Sequence, residues 1–204
     1  MSPRPDVSEE RKNQILEAAL AVFARLGFHE SRMDDIAGQA GLSKAALYLY
    51  YKSKDAIIAA LLQHFFTREL KHMESLAEIN REKTVTEQLL LLTRQLTDAF
   101  QWMKQAMPIA FEFYAVAGRN KDVRQFLKTY FQDYRTLLAR LIQHGIEQGE
   151  FREVSAGATA TTLAALFEGL ALLFFVDPEA LHWGEQAESS LRLLLAGLQR
   201  PATS

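Results

Sequence analysis

Cysteine is absent from the 204 residues, so no disulfide, thiolate metal site or thiol nucleophile can form. Net charge is small as well, −2 at neutral pH, which argues against a protein that coats nucleic acid indiscriminately. The histidines (His29, His64, His72, His144, His182) are scattered, with no HExxH pair and no carboxylate-rich ligand set. Neither a glycine-rich phosphate loop nor a nucleophile elbow occurs. An enzyme, a metal and a cofactor are therefore not expected. No apolar run follows the opening MSPRPDVSEER, so no secretory signal is expected either. The longest apolar stretch, Leu163 to Val176, is interrupted by Glu168 and Gly169 and reads as a buried helix too short to span a bilayer. These absences fit a cytoplasmic protein, and no membrane partner is expected.

What is present is helical periodicity. Apolar residues make up 49% and charged ones 24%, ordinary globular values, on a chain long enough for a small and a larger domain. Ile15, Ala18, Ala19, Val22, Phe23 and Leu26 mark one face of a first helix closed by Gly27. Ser53 caps a long helix from Lys54 toward Leu76, and Thr84 with Glu87 reads as a capping box before a fifth helix. Pro108 opens a short helix over Ile109 to Ala117, stopped at Gly118. Asn120 caps a long seventh helix, weakened by Gly145 and ended by Gly149. Ser155 opens an eighth helix that is apolar almost all round, and a ninth follows Gly184. The residues 1–7 read as an arm whose Arg4 can reach a minor groove, or as a plain tail.

The stretch SRMDDIAGQAGLSKAALYLYYKSK, Ser31 to Lys54, carries the most specific signal. Ser31 and Asp34 read as an acidic capping box, and Met33, Ile36, Ala37 and Ala40 form one apolar face. Gly41 stops that helix, Leu42 plugs the turn, and Ser43 caps a second helix through Tyr50. Two short helices joined by so tight a turn make a helix-turn-helix, whose second helix fits the major groove. Charge agrees in sign, though weakly: residues 1–54 carry a net +1 and the remainder −3.

The run DDIAGQAGLSKAALYLYYKSKDAI, preceded by Gly27 and Phe28, resembles the N-terminal domain of TetR-family transcriptional regulators. The resemblance implies an all-α fold: a three-helix DNA-binding domain (1–54), joined by a long helix to a larger helical domain for ligand binding and dimerisation (55–204). It implies a homodimeric repressor on a palindromic double-stranded operator, released by an effector acting through the long helix. A helical small-molecule-binding protein that never touches DNA is the alternative reading.

Lys44, Tyr48, Tyr50 and Lys54 are expected to meet phosphates and match backbone-contacting positions of that family, with Arg32 and the cap residue Ser43 beside them. Base reading falls to Lys44, Ala45, Ala46 and Leu49, with Tyr48 as a further candidate. The family usually has Gly and Ser or Thr where Ala45 and Ala46 stand, and often a polar residue at Leu49. Methyl groups cannot hydrogen-bond a base edge but can meet a thymine methyl, so readout by apolar contact and DNA shape is expected. Tyr51 stands where the family has a core Phe.

For an effector, Leu62, Phe66, Leu92, Leu96, Phe100, Met103, Phe111, Tyr114, Tyr130, Phe131, Tyr134 and Phe167 form an aromatic set suited to a small lipophilic molecule. Glu112, His64 and His72 are the polar candidates. Leu163, Phe167, Leu170, Phe174, Leu191, Leu194 and Leu198 are read either as a dimer interface or as an intrachain core, because an all-round apolar helix is buried either way.

Overall fold

The apolar positions from Ile15 to Phe23 close completely over one face of α1 (Val7–Leu26), and everything N-terminal is organised around that stripe. The computed structural model describes residues 7–103 and 110–200, apart from the side chains at 7, 98–103, 110, 111 and 113. Arg4, Pro108 and Ile109, and the side chains of Phe100, Met103 and Phe111, lie outside the described residues. Among those described the chain is helical throughout, with one isolated bridge between Phe151 and Gln199. After α1 come α2 (Met33–Gln39), α3 (Lys44–Tyr50), α4 (Lys54–Ile79), α5 (Val85–Met103), α6 (Ala110–Arg119), α7 (Lys121–Glu147), α8 (Ala156–Val176) and α9 (Trp183–Leu198).

The chain gathers into two compact units that do not follow the division at residue 54. The first is built from the described parts of 1–66 and 102–127, the second from 67–101 and 128–204. In the first unit α2 packs on α1 and α3 on α2. Ile36, Leu47, Ile57 and Ile58 are fully buried there, each contributing roughly 1.5–3 kcal/mol over an exposed position. Phe28 is buried with its ring 5.6 Å from that of Phe23.

The second unit holds α8 against α9. Capping decides several of its boundaries. Thr84 and Glu87 form the expected box at α5, with the Thr84 N–H donating to Glu87 at 3.0 Å and the Glu87 N–H to Thr84 at 3.2 Å. Glu150 adds an outside cap, accepting from the N–H groups of Val85 and Thr86 at 2.7 and 2.8 Å. Gly145 has a packing role: a Cβ there would run into the ring of the fully buried Phe151. α6 continues through Gly118 to Arg119, two residues past its expected end.

α8 corrects one sequence argument. At 21 residues, with a mean hydropathy of 1.8 over its most apolar window, it is long and apolar enough to cross a membrane. Length therefore does not exclude a span. What makes it a core helix is one side: Ala160, Leu163, Ala164, Phe167, Leu170 and Phe174 are buried.

Candidate functional site

The turn between α2 and α3 is set by backbone geometry. Ala40 is the C-cap of α2, and Gly41 takes φ +64°, a left-handed conformation that strains any side chain but glycine's. The Leu42 N–H then reaches back to the Ala37 carbonyl at 2.8 Å and the Gly41 N–H to the Gly38 carbonyl at 3.1 Å, the paired bonds of a Schellman ending. Ser43 accepts from the Ala46 N–H at 3.2 Å and starts α3 at once. Gln14 on α1 donates to the Ala40 carbonyl at 2.8 Å, pinning the turn. The start of α2 differs from the sequence reading. Ser31 is buried and donates to the Phe28 carbonyl, while the cap is Arg32, whose N–H donates to Asp35 at 2.8 Å.

α3 is anchored by the fully buried Leu47 and presents the opposite face. Arg32, Ser43, Lys44 and Ala45 are exposed, Ala46, Tyr48 and Tyr50 half-buried, and Leu49 is 78% exposed. A leucine so exposed on a seven-residue helix is the clearest sign that this face meets something. Lys44 is tied to Asp34 at 2.9 Å, and that hydrogen bond, with the carboxylate's charge, raises its pKa above the usual lysine value. Tyr51 is half-buried, and its desolvation raises the phenol pKa.

The Lys54 ammonium, expected at a phosphate, does something else. It donates to the carbonyls of Phe28, His29 (3.1 Å) and Ser31 (2.7 Å) and lies 4.6 Å from the Phe28 ring centroid. An ammonium has three N–H groups, and all three are engaged. Lys54 thus binds the start of α4 to the α1–α2 turn.

α6 contributes two residues to the same unit. Glu112 meets His29 at 2.9 Å, and Arg119 holds both Asp55 oxygens at 2.8 and 2.9 Å, with Glu112 3.9 Å away. Hydrogen bonds from Arg119 lower the Asp55 pKa, and the same bonds raise that of Arg119. Sequence reading missed Asp55 and Arg119 and took Glu112 for an effector contact. Partners 64 residues apart leave no periodic signal.

The aromatic set divides between the units. Leu62 (buried) and Phe66 (half-buried) belong to the first, and so does Tyr114, which is 53% exposed and walls no interior. Leu92, Leu96, Tyr130, Phe131, Tyr134 and Phe167 belong to the second. Of these, Tyr130 stacks on Tyr134 at 6.1 Å and meets Phe131 edge-on at 5.3 Å. Burial pushes the Tyr134 phenol well above its ordinary pKa. His64 and His72 are exposed.

Of the interface candidates, Leu163, Phe167, Leu170, Phe174, Leu191 and Leu198 are buried within their own chain and Leu194 is half-buried. They form the core side of α8 and α9. The apolar residues left on the outside are Leu172, Leu173, Val176 and Leu193.

Comparison with known proteins agrees with this geometry. Residues 15–61 match the family described as bacterial regulatory proteins, tetR family, and residues 85–200 match the C-terminal part of BetI-type transcriptional repressors. The chain is 30% identical over 162 residues to the HTH-type transcriptional regulator YfiR of Bacillus subtilis, covering 78% of each. Two solved structures share the fold. FadR of Bacillus subtilis, in complex with stearoyl-CoA, superposes with a TM-score of 0.73 at 24% identity, over 92% of this chain and 99% of that one. A regulator from Saccharomonospora viridis, in complex with choline, does so at 0.81 and 22%, over 95% and 100%. Matched along both its helix-turn-helix and its C-terminal helices, the chain belongs to the TetR family of transcriptional regulators.

Proposed function

We propose that the protein is a cytoplasmic, homodimeric repressor that holds a palindromic operator and releases it when a small lipophilic effector binds. The observation that carries the reading is the pairing of a rigid glycine-set turn with an outward α3 face whose Leu49 is 78% exposed. Arg32, Ser43, Lys44, Ala45, Ala46, Tyr48, Leu49 and Tyr50 form that face or flank it. Residues 1–54 serve as the reading head and 55–204 as the sensing and pairing part. Two copies place two α3 helices in successive major grooves, about 34–36 Å apart.

Pairing uses the outer sides of α8 and α9. On α8, the exposed Ala158, Thr161, Ala165 and Gly169 permit close helix approach, and Leu172, Leu173 and Val176 continue the stripe. Leu193 supplies the exposed apolar residue on α9.

The effector acts through α4, a single helix from the reading head at Lys54 to Ile79. It binds the DNA-incompetent arrangement more tightly, since a ligand of equal affinity for both shifts nothing. Enrichment of random duplexes on the ligand-free protein, followed by mobility shifts at several salt concentrations, tests the reading. A palindromic, salt-sensitive site is expected; retention with no sequence preference would instead favour a binding protein without operator specificity.

A further inference from the structure

The two ligand-bound neighbours, one with an acyl-CoA and one with choline, point in opposite directions on charge, so the effector's chemistry must come from this chain's own residues. Four polar residues are buried among the described ones: Ser31, Glu69, Gln88 and Thr93. Three have partners. Ser31 donates to the Phe28 carbonyl at 2.8 Å, Gln88 to the Lys83 carbonyl at 3.0 Å and Thr93 to the Leu89 carbonyl at 2.9 Å. Glu69 is satisfied at no more than one of its two oxygens. It is 4% exposed, and its Oε2 is enclosed without any protein donor.

Its other oxygen has only a weak claim on it. Oε1 lies 3.4 Å from Nε of Arg68, the preceding residue, whose side chain is 43% exposed. Neighbours in a helix do not face one another, so Arg68 follows the solvent side while Glu69 turns inward. Helical spacing puts Glu69 on the stripe of α4 that carries Leu62 and Met73, both 1% exposed. In the same compact unit, on α5, both amide atoms of Gln95 are also enclosed without a protein partner. Leaving a buried polar group unpaired is destabilising, most of all for a carboxylate, and Glu69 and Gln95 differ in this from the satisfied Gln88 and Thr93 of the same unit.

We infer that Glu69 is the anchor of the effector site and that the effector is a protonated amine or amidine carried on an apolar body. This rests on the regulator reading above and deepens it. A carboxylate oxygen accepts and cannot donate, so the missing partner is a donor, and an N–H-bearing cation supplies both proton and charge. An anionic head group would set like charges together. A quaternary ammonium has no N–H and leaves Oε2 without its hydrogen bond. Gln95, with one acceptor and two donor positions, takes a second polar group of the ligand or its counter-dipole.

The test is calorimetric titration of the full-length protein with octylamine, octyltrimethylammonium and octanoate at neutral pH, repeated on Glu69→Gln with thermal unfolding alongside. The wild type is expected to take octylamine at least about tenfold more tightly than either other probe, the ratio that one charge-assisted hydrogen bond supplies. Glu69→Gln is expected to lose that preference and to unfold at a higher temperature than the wild type, because an unpaired carboxylate has been removed; a purely structural ion pair with Arg68 predicts a lower one. Should the variant not fold, the wild-type ranking alone decides. Octanoate binding as tightly as octylamine, or an unchanged ranking in Glu69→Gln, overturns the inference. Release of operator DNA by octanoate but not octylamine also overturns it while leaving the regulator reading intact. Failure to find any operator removes that reading alone, since amine selectivity is measured without DNA.

Discussion

Arg119, the last residue of α6, grips Asp55, in the first turn of α4, through two parallel hydrogen bonds of 2.8 and 2.9 Å. This fork-on-fork geometry fixes direction as well as distance. It joins α6 to the start of the helix that follows the reading head, and Glu112 adds a second tie from α6 to His29 in the α1–α2 turn.

Asp55→Asn and Arg119→Ala should each destabilise modestly. Both side chains are more than a third exposed, so screening limits the pair to about 1 kcal/mol or less. The double variant should cost clearly less than the sum of the singles in urea unfolding at neutral pH. The pH dependence follows from the lowered Asp55 pKa. A carboxyl depressed in the folded state contributes stability that is fully present above its unfolded value, 3.8, and lost as pH falls through the lower folded value. Wild type should therefore lose stability relative to Asp55→Asn as pH drops below about 4. Parallel unfolding curves of the two proteins down to acid pH would refute the assignment.

Lys54 and Lys44 should separate cleanly. Lys54→Met removes the donor to three carbonyls, and a cost of about 1.5–3 kcal/mol in unfolding is expected. The salt dependence of operator binding should change little, because no N–H of that ammonium is left for a phosphate. Lys44→Gln should do the reverse: little change in stability, with the log–log salt slope falling by about one. A reduced salt slope in Lys54→Met would return that lysine to the DNA backbone.

These contrasts show what the sequence could and could not say. The Gly41 turn, the Ser43 cap and the Thr84–Glu87 box were legible because each depends on residues within a few positions of one another. The use of Lys54 was not, since its partners are backbone carbonyls of a loop more than twenty residues away, and carbonyls leave no mark on composition. Nor was the inward side of α8, where nearly every position is apolar and periodicity has no phase to report. Asp55 and Arg119 are ordinary surface charges until α6 brings them together.

Leu49 offers a direct test of apolar readout. If its side chain meets a thymine methyl, replacing that thymine by uracil removes one methyl from the contact and should weaken wild-type binding about fourfold. Leu49→Ala should bind thymine and uracil duplexes alike. Competition mobility shifts with the two duplexes decide it, and strict G·C selection opposite Ala46 and Leu49 would exclude this mode of recognition.

The outer faces of α8 and α9 carry the last prediction. Leu173 and Leu193 are 57% and 79% exposed, and on a lone chain both would stand in water. Sedimentation of the wild type should give twice the chain mass, and Leu173→Glu with Leu193→Glu should give one chain mass with helix content unchanged by circular dichroism. Leu163→Glu makes the contrasting case: its site is fully buried inside the chain, so it should unfold the second unit rather than split a dimer. Because one head reads only half a palindrome, the outer-face variant should also lose most of its operator affinity while keeping the effector. A double variant that still sediments as a pair would move the interface to another surface of the bundle.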